Sequence, residues 1–272
     1  MGRGALLPLG VGLIGVVVAS VAVGPSLTGW DPSEMDTMAL LTGPGWSHPF
    51  GTDSFGRDVL TRVLLGARVS LGVSVAGIGL AALCGTAIGM AGAMAGGLVD
   101  AAASRLSDLL LALPSFVLAL LLMLILGFGL GSVVLALGLI FLPNFSRLAR
   151  NTTLAVKNEN YVQAAIVVGQ APWRIMVREI LPNIAGPLSV QLSAALAFGI
   201  LVEAGLSFLG LGVQPPTPSL GALMSEGKDY FESGPWVLTC TGLSVSAIIL
   251  GLNLLADGVR DLLDPRLRRM AP

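Results

Sequence analysis

Apolar residues run in long unbroken stretches along this chain, without the alternation of a half-buried strand or the single stripe of a surface helix. Runs long enough to cross about 30 Å of hydrocarbon at about 1.5 Å per residue fall near Leu6–Val23, Leu71–Ala95, Leu109–Leu126, Leu130–Phe145, Leu188–Leu211 and Val237–Ala256. The pattern predicts an all-α polytopic integral membrane protein with six transmembrane helices, forming one domain over residues 1–272. The fourth run is short and holds Pro143, so its inner end is expected to unwind or kink. Gly85, Gly89, Gly92 and Gly96 recur at three- and four-residue spacing on the second run. Such spacing permits close helix approach, and packing within the chain is its expected use.

Charge between the runs orients them. With the N-terminus inside, the inner segments hold Arg3, Arg105, Arg147, Arg150, Lys157, Arg174, Arg178, Arg260, Arg266, Arg268 and Arg269, against Arg57, Arg62, Arg68 and Lys228 outside. The excess of basic residues predicts N-in, C-in. Extracellular loops are then expected at about 24–70 and about 212–236, a cytoplasmic loop at about 147–186, and a cytoplasmic tail at 257–272. Trp30 and Trp236 fall outside, with Trp236 expected as an interfacial anchor. Arg3, the first apolar run and Ser20-Val21-Ala22 also fit a cleavable secretory signal. Cleavage there would leave every later span in the same orientation.

Composition agrees with the pattern: 54% of residues are hydrophobic and 11% charged, with a mean hydropathy of +0.85, where soluble chains carry about 25% charged residues. The net charge of -1 and the lack of a dense basic patch argue against a nucleic-acid partner. Cys84 and Cys240 both lie in apolar runs, so they read as small hydrophobes, and no disulfide framework or metal spacing is present.

The most distinctive polar stretch is Glu159-Asn160-Tyr161-Val162-Gln163-Ala164-Ala165, followed by Gly169, Pro172-Trp173-Arg174 and Leu181-Pro182-Asn183. Ala164 and Ala165 give a small-faced helix that another protein can approach, Gly169 ends or bends it, and Pro172 restarts the chain in a new direction. The competing reading is an ordinary amphipathic helix between spans. A second polar stretch runs from His48-Pro49-Phe50 through Gly51-Thr52-Asp53-Ser54-Phe55-Gly56-Arg57-Asp58 to Arg62 and Arg68. Gly51 and Gly56 allow tight turns, Asp53 can cap the following turn, and the charges of Arg57, Asp58, Arg62 and Arg68 are placed to pair at the membrane surface. A folded connector is the expected role of this stretch, and His48 reads as a hydrogen-bonded structural residue.

The first stretch resembles the EAA loop of ABC-importer permeases, which plugs into the ATPase subunit. Gln163 stands where many members have Glu, and Glu179 where many have Ile. The second is similar to the GTD-x-x-GRDV element of the peptide, opine and nickel permease subfamily. Glu203-Ala204-Gly205-Leu206-Ser207-Phe208-Leu209-Gly210 and Asn253-Leu254-Leu255-Ala256-Asp257-Gly258 through Asp264-Pro265-Arg266 extend the likeness to the C-type permease of dipeptide and oligopeptide importers. That resemblance implies a type I importer permease fold and an ATPase-docking set of Tyr161, Gln163, Ala164, Ala165, Gly169, Pro172, Trp173, Arg174, Leu181 and Pro182. It also implies the partners: a second, B-type permease that completes the pore, two ABC ATPase subunits that bind ATP and Mg2+, and an extracytoplasmic solute-binding protein. The chain itself would sit in the lipid bilayer of the bacterial plasma membrane. Nickel chelates, glutathione and haem remain open as solutes beside peptides.

Glu203 is the one acid placed well inside a span, where an ionised carboxylate costs about 2.5–3.5 kcal/mol. It reads either as a pore or inter-subunit group or as a structural hydrogen-bonding one, and Gln191, Asn144, Ser115 and Ser193 are weaker candidates for the cavity wall. An ion-coupled transporter using Glu203 is the rival function, and an intramembrane enzyme a second rival. Catalysis by the chain is disfavoured. Its one Gly-Lys pair, Gly227-Lys228, is followed by Asp229 and lacks the phosphate-binding context, and one histidine in an outer loop assembles no nucleophile–base pair.

Overall fold

The computed structural model describes residues 6–263, and among these every regular element is helical. In order they are α1 (Leu6–Leu27), α2 (Val59–Ala95), α3 (Gly97–Ala112), α4 (Ser115–Leu126), α5 (Leu130–Val156), α6 (Asn160–Val167), α7 (Pro172–Ile175), a π-helical turn (Met176–Ile180), α8 (Leu181–Phe208), α9 (Leu220–Asp229) and α10 (Pro235–Leu263). Four helical stretches are long and apolar enough to cross a membrane, namely Val59–Ala95, Leu130–Val156, Pro172–Phe208 and Pro235–Asp261. The pair α3 and α4 makes a fifth if taken as one broken span, while α1 contributes a shorter apolar stretch, Pro8–Gly24.

The glycines of α2 decide the central packing. A side chain at Gly77 would strike Leu137, at Gly85 the Leu142 carbonyl and Phe145, and at Gly89 the backbone of Ser146 and Arg150. Three bare surfaces on one helix therefore let α5 lie directly on α2, as the small-residue spacing predicts. Gly92 instead faces Ala103 and Asp100 of α3, and Gly96, at φ 69°, is the turn between α2 and α3. Ile78, Leu137, Phe145, Met123 and Leu206 fill the core between α2, α4, α5 and α8. A second core joins α1, α2, α8, α9 and α10 through Val21, Val63, Ile200, Leu220, Val237 and Ile248. There α10 meets α1 where Gly10 faces the backbone of Leu254 and Leu255.

Several expected boundaries move. The expected third span, Leu109–Leu126, is not one straight helix: α3 and α4 meet at 94°. Pro114 has no N–H to donate and forces Leu113 out of the helical region, to φ -96° and ψ 135°. Pro143, by contrast, does not unwind the fourth span, because α5 continues through it to Val156. Packing of α5 along α2 holds that helix together. Residues 147–156 of the expected cytoplasmic loop are thus helix, and from Pro172 onward helical structure runs without a gap into α8. The loop expected over 24–70 ends at Val59, where Asp58 caps α2 by accepting from the Thr61 amide at 2.7 Å. The loop expected over 212–236 contains α9, capped by Ser219. Arg3, Arg266, Arg268 and Arg269 lie outside the described residues.

Candidate functional site

Two polar elements sit at opposite ends of the long helix α2. At its C-terminal end stands α6. The helix closes with paired bonds, Gly169 N–H to the Ile166 carbonyl at 2.9 Å and Gln170 N–H to the Ala165 carbonyl at 3.1 Å. Gly169 takes φ 80° to make them, which is the reason a glycine stands there. Pro172 then occupies the first turn of α7, where its missing N–H costs nothing.

One side chain pins α6 to the body. Val162 is fully buried among Met90, Ala149, Ile175, Ile180 and Ile184. The helix consequently turns Tyr161, Gln163, Ala164, Val167 and Val168 outward, and Trp173 and Arg174 of α7 are exposed beside them, the guanidinium 5.4 Å from the indole ring. Ala165 is half-buried against the Val162 cluster and so belongs partly to the internal contact. Leu181 is half-buried and Pro182 exposed, one helical stretch further on. Val167 and Val168, each 85% exposed, are the apolar tip that the sequence reading passes over. Two adjacent valines ahead of a helix-ending glycine were the available signal.

A relay ties this element to the core. The Gln163 side chain donates to the Lys157 carbonyl at 2.9 Å, and the Lys157 ammonium donates to the carbonyls of Ala93 and Met94, each at 3.0 Å. Those are among the last carbonyls of α2, which have no helical donor of their own, and a cation there also meets the negative end of the helix dipole. Beside it, Arg150 of α5 holds Asp100 of α3 by two bonds of 2.5 and 2.6 Å.

At the other end of α2 the segment 48–62 folds into a cap around buried charge. Asp53 accepts from the Phe55 amide at 2.8 Å, the Arg57 amide at 3.0 Å and Arg57 Nε at 2.7 Å, and lies 3.1 Å from an Arg62 guanidinium nitrogen. Both arginines also reach Glu226 of α9, at 3.1 and 3.2 Å. Arg57 and Arg62 thus pair with Asp53 and Glu226, and not with Asp58 as expected. Asp58 is held by His48 at 2.9 Å and by Thr61, and Arg68 stays exposed outside the network. Both arginines turn to Asp53 because its carboxylate is buried and must be compensated.

Thr52 is fully buried, donating to the Ala39 carbonyl and accepting from the Thr42 amide. Trp236 is not a free interfacial anchor: its indole donates to the Thr52 carbonyl at 3.0 Å and its ring fills the space a side chain at Gly51 would need. Gly56 is bare because the Asp36 backbone passes against it.

Glu226 carries no local signal in the sequence, because the 51–62 segment already balances Arg57 and Arg62 with Asp53 and Asp58. Burial raises its pKa, Arg57 opposes that rise, and Asp53 adds to it. A carboxyl whose folded pKa lies above its unfolded one contributes stability fully present in acid and lost as the pH climbs through the folded value. Glu226→Gln should therefore match the parent in melting temperature at acidic pH and gain on it towards neutrality. A melting difference that does not change with pH would contradict this.

The five candidate pore residues are not brought together, and Ser193, half-buried, donates to the Ser189 carbonyl one turn back at 3.0 Å. Glu203 is fully buried at the junction of α8 with α2 and α9, accepting from the Ser207 hydroxyl at 2.8 Å, with Ser70 of α2 facing the same carboxyl. Among the described residues its second oxygen, Oε2, has no hydrogen-bond partner, nor does the buried hydroxyl of Ser74. Gln191 is half-buried, while Asn144 and Ser115 are exposed. None of the five lines the apolar cavity of about 540 Å³ between α2, α5 and α8, whose wall includes Met90, Phe145, Met176, Leu188 and Leu192, with Thr86 and Ser189 as its hydroxyl groups.

The family model for the binding-protein-dependent transport system inner membrane component matches residues 57–269. The chain belongs to this permease family. It is 39% identical over 260 residues to a putative peptide transport system permease protein of Brucella suis biovar 1, covering 96% of this chain and 88% of that one. It is 36% identical over 273 residues to the dipeptide transport system permease protein DppC of Haemophilus influenzae, covering 98% and 92%. A glutathione transport system permease protein, GsiD of Pectobacterium atrosepticum, is 37% identical over 229 residues, covering 84% and 76%. Among solved structures, a chain of the inward-facing MetNI methionine ABC transporter superposes with a TM-score of 0.60 at 16% identity, covering 75% of this permease and 96% of that chain. The fold is thus that of a type I ABC importer permease.

Proposed function

We propose that this permease is a pore-forming subunit of an ATP-driven importer of dipeptides or oligopeptides. The observation that carries the reading is the likeness, at 36–39% identity over nearly the whole chain, to peptide and dipeptide permeases. In this reading α6 is the docking element for the ATPase, supported by its narrow attachment through buried Val162 and half-buried Ala165 and by its exposed face of Tyr161, Ala164, Val167 and Val168. ATP and Mg2+ belong to two ATPase subunits, a second permease completes the pore, and a binding protein outside the cell delivers the solute. Closure of the ATPases favours one pore state only through contacts that differ between states. Lys157 and Gln163 offer such a path, since they join α6 to the end of α2.

The chain would cross the plasma membrane six times, with α1 and the broken pair α3 and α4 counted as spans and both termini inside. Single cysteines at Ser54 and Ser225 should then react with an impermeant reagent from outside intact cells, and one at Asn158 should not. Labelling at 158 would invert the topology and remove α6 from the cytoplasm.

A proton-coupled carrier finds its one supporting observation in the unpartnered Oε2 of Glu203. The reconstituted complex decides between them. Uptake of a dipeptide should require ATP with any imposed pH gradient ineffective, and Glu203→Gln, which keeps the Ser207 bond, should retain a substantial part of it. Uptake that runs without ATP, follows the pH gradient and vanishes in Glu203→Gln would establish the carrier instead.

A further inference from the structure

A groove of about 680 Å³ lies between the end of α1 and the start of α2, walled by Val23, Leu60 and Leu64 and rimmed by Trp30, Trp46 and Asp58. Its charged rim residue is already satisfied, because Asp58 is bound by His48 and Thr61. Trp30 is fixed as well, donating to the Ser47 carbonyl at 3.2 Å and lying against the His48 ring, tilted by 35° with 4.6 Å between ring centres. Trp46 differs from both. It is 105% exposed and makes no hydrogen bond within the described residues.

The position of the groove says what fills it. α1 has 22 residues, about 33 Å at about 1.5 Å per residue, against about 30 Å of hydrocarbon. Counted as a span, as proposed above, α1 has its ends at the two polar boundaries of the bilayer whichever way the chain is oriented. One side of α1 packs on α10 and α2, and its other side exposes Val11 and Val18, then Val16 and Val23, each pair seven residues apart on one stripe. In a membrane that aliphatic face meets acyl chains, and Val23 belongs both to it and to the groove. The acyl-facing surface thus runs directly into the groove, and ends at two indoles. Tryptophan concentrates at this depth because its ring is apolar and its N–H needs an acceptor.

We propose that this groove is a phospholipid site: an acyl chain lies along Val23, Leu60 and Leu64, and the Trp46 indole donates to the ester or phosphate oxygens above it. An indole that finds no protein surface is in this way partly withdrawn from water, and the 30–47 segment is held at the bilayer surface beside the charged cap. The proposal rests on the membrane location of the permease and on α1 being one of its spans, and is independent of which solute it carries.

Two measurements on the assembled transporter in phospholipid nanodiscs test it. With Trp46→Cys carrying a nitroxide, in a background otherwise free of cysteine, collisions with oxygen should exceed those with a water-soluble nickel chelate, as at the ester level of a bilayer. Filling the groove by Ser20→Trp should reduce the phospholipid retained in native mass spectrometry by one per permease chain. A nitroxide that collides mainly with the nickel chelate overturns the proposal, and so does an unchanged lipid count in a folded Ser20→Trp complex. A nitroxide in water that becomes shielded only when the binding protein is added would reassign the face to protein docking. Because Trp46 is fully exposed, the first measurement holds even if Ser20→Trp fails to fold.

Discussion

Transporters carrying Ala164→Trp or Val168→Asp should insert and fold as the parent does, yet lose their ATPase subunits on purification and with them all measurable uptake. Both side chains are exposed, so neither change disturbs the core. If α6 is the docking surface, a bulky ring blocks close approach at the first site, and a charge is desolvated without a partner at the second. Central contacts of this kind carry about 2 kcal/mol or more, corresponding to at least about a thirtyfold weaker complex. Gly169→Trp should act in the same direction, with Gly169→Asn as its control. No atom lies where a side chain at Gly169 would begin, so its internal cost comes from the positive φ, which asparagine tolerates. Ala165→Glu is a less clean probe, since Ala165 is half-buried in the Val162 cluster and would damage internal packing too. Normal ATPase co-purification with normal uptake in the Ala164 and Val168 variants would remove α6 from the role proposed for it.

Lys157→Met should separate ATP hydrolysis from transport. The substitution keeps the aliphatic stem and deletes the ammonium that holds the Ala93 and Met94 carbonyls. Hydrogen bonds to a charged group contribute about 1.5–3 kcal/mol, so the joint between the docking segment and α2 is weakened while the surface of α6 is untouched. The expected result is an intact complex that hydrolyses ATP but moves about tenfold less dipeptide per ATP, a change equivalent to about 1.4 kcal/mol of coupling. Lys157→Arg, which restores a cation at the same carbonyls, should recover most of the ratio. A purely structural lysine would lower the yield of folded complex and leave the ratio of uptake to hydrolysis as it was, and that outcome would end the relay interpretation.

Much of this was written in local sequence, because the physics concerned is local. Long apolar runs must become helices in a membrane, since a lipid-exposed backbone has nowhere else to place its hydrogen bonds. Gly169 and Pro172 mark a helix end and a helix start by their own backbone preferences, and the structure places the paired capping bonds and the first turn of α7 there. The glycine spacing of α2 marked a close helix contact for the same reason. What tertiary structure decided were the choices between competing local signals. Pro114 breaks its helix while Pro143 does not, because α5 is held straight along α2 and the joint between α3 and α4 lacks such support. Arg57 and Arg62 turn to Asp53 and Glu226, the latter more than 160 residues away in sequence, since a buried charge pairs with whatever the fold brings near it. Glu203 was conspicuous as a lone acid in an apolar run, and Ser207 lies one turn on in the same helix, but only packing could bring Ser70 of α2 to it and leave it away from the cavity wall. Sequence fixes which groups need partners; the fold alone determines which partners arrive, because that depends on surfaces contributed by helices far apart in the chain.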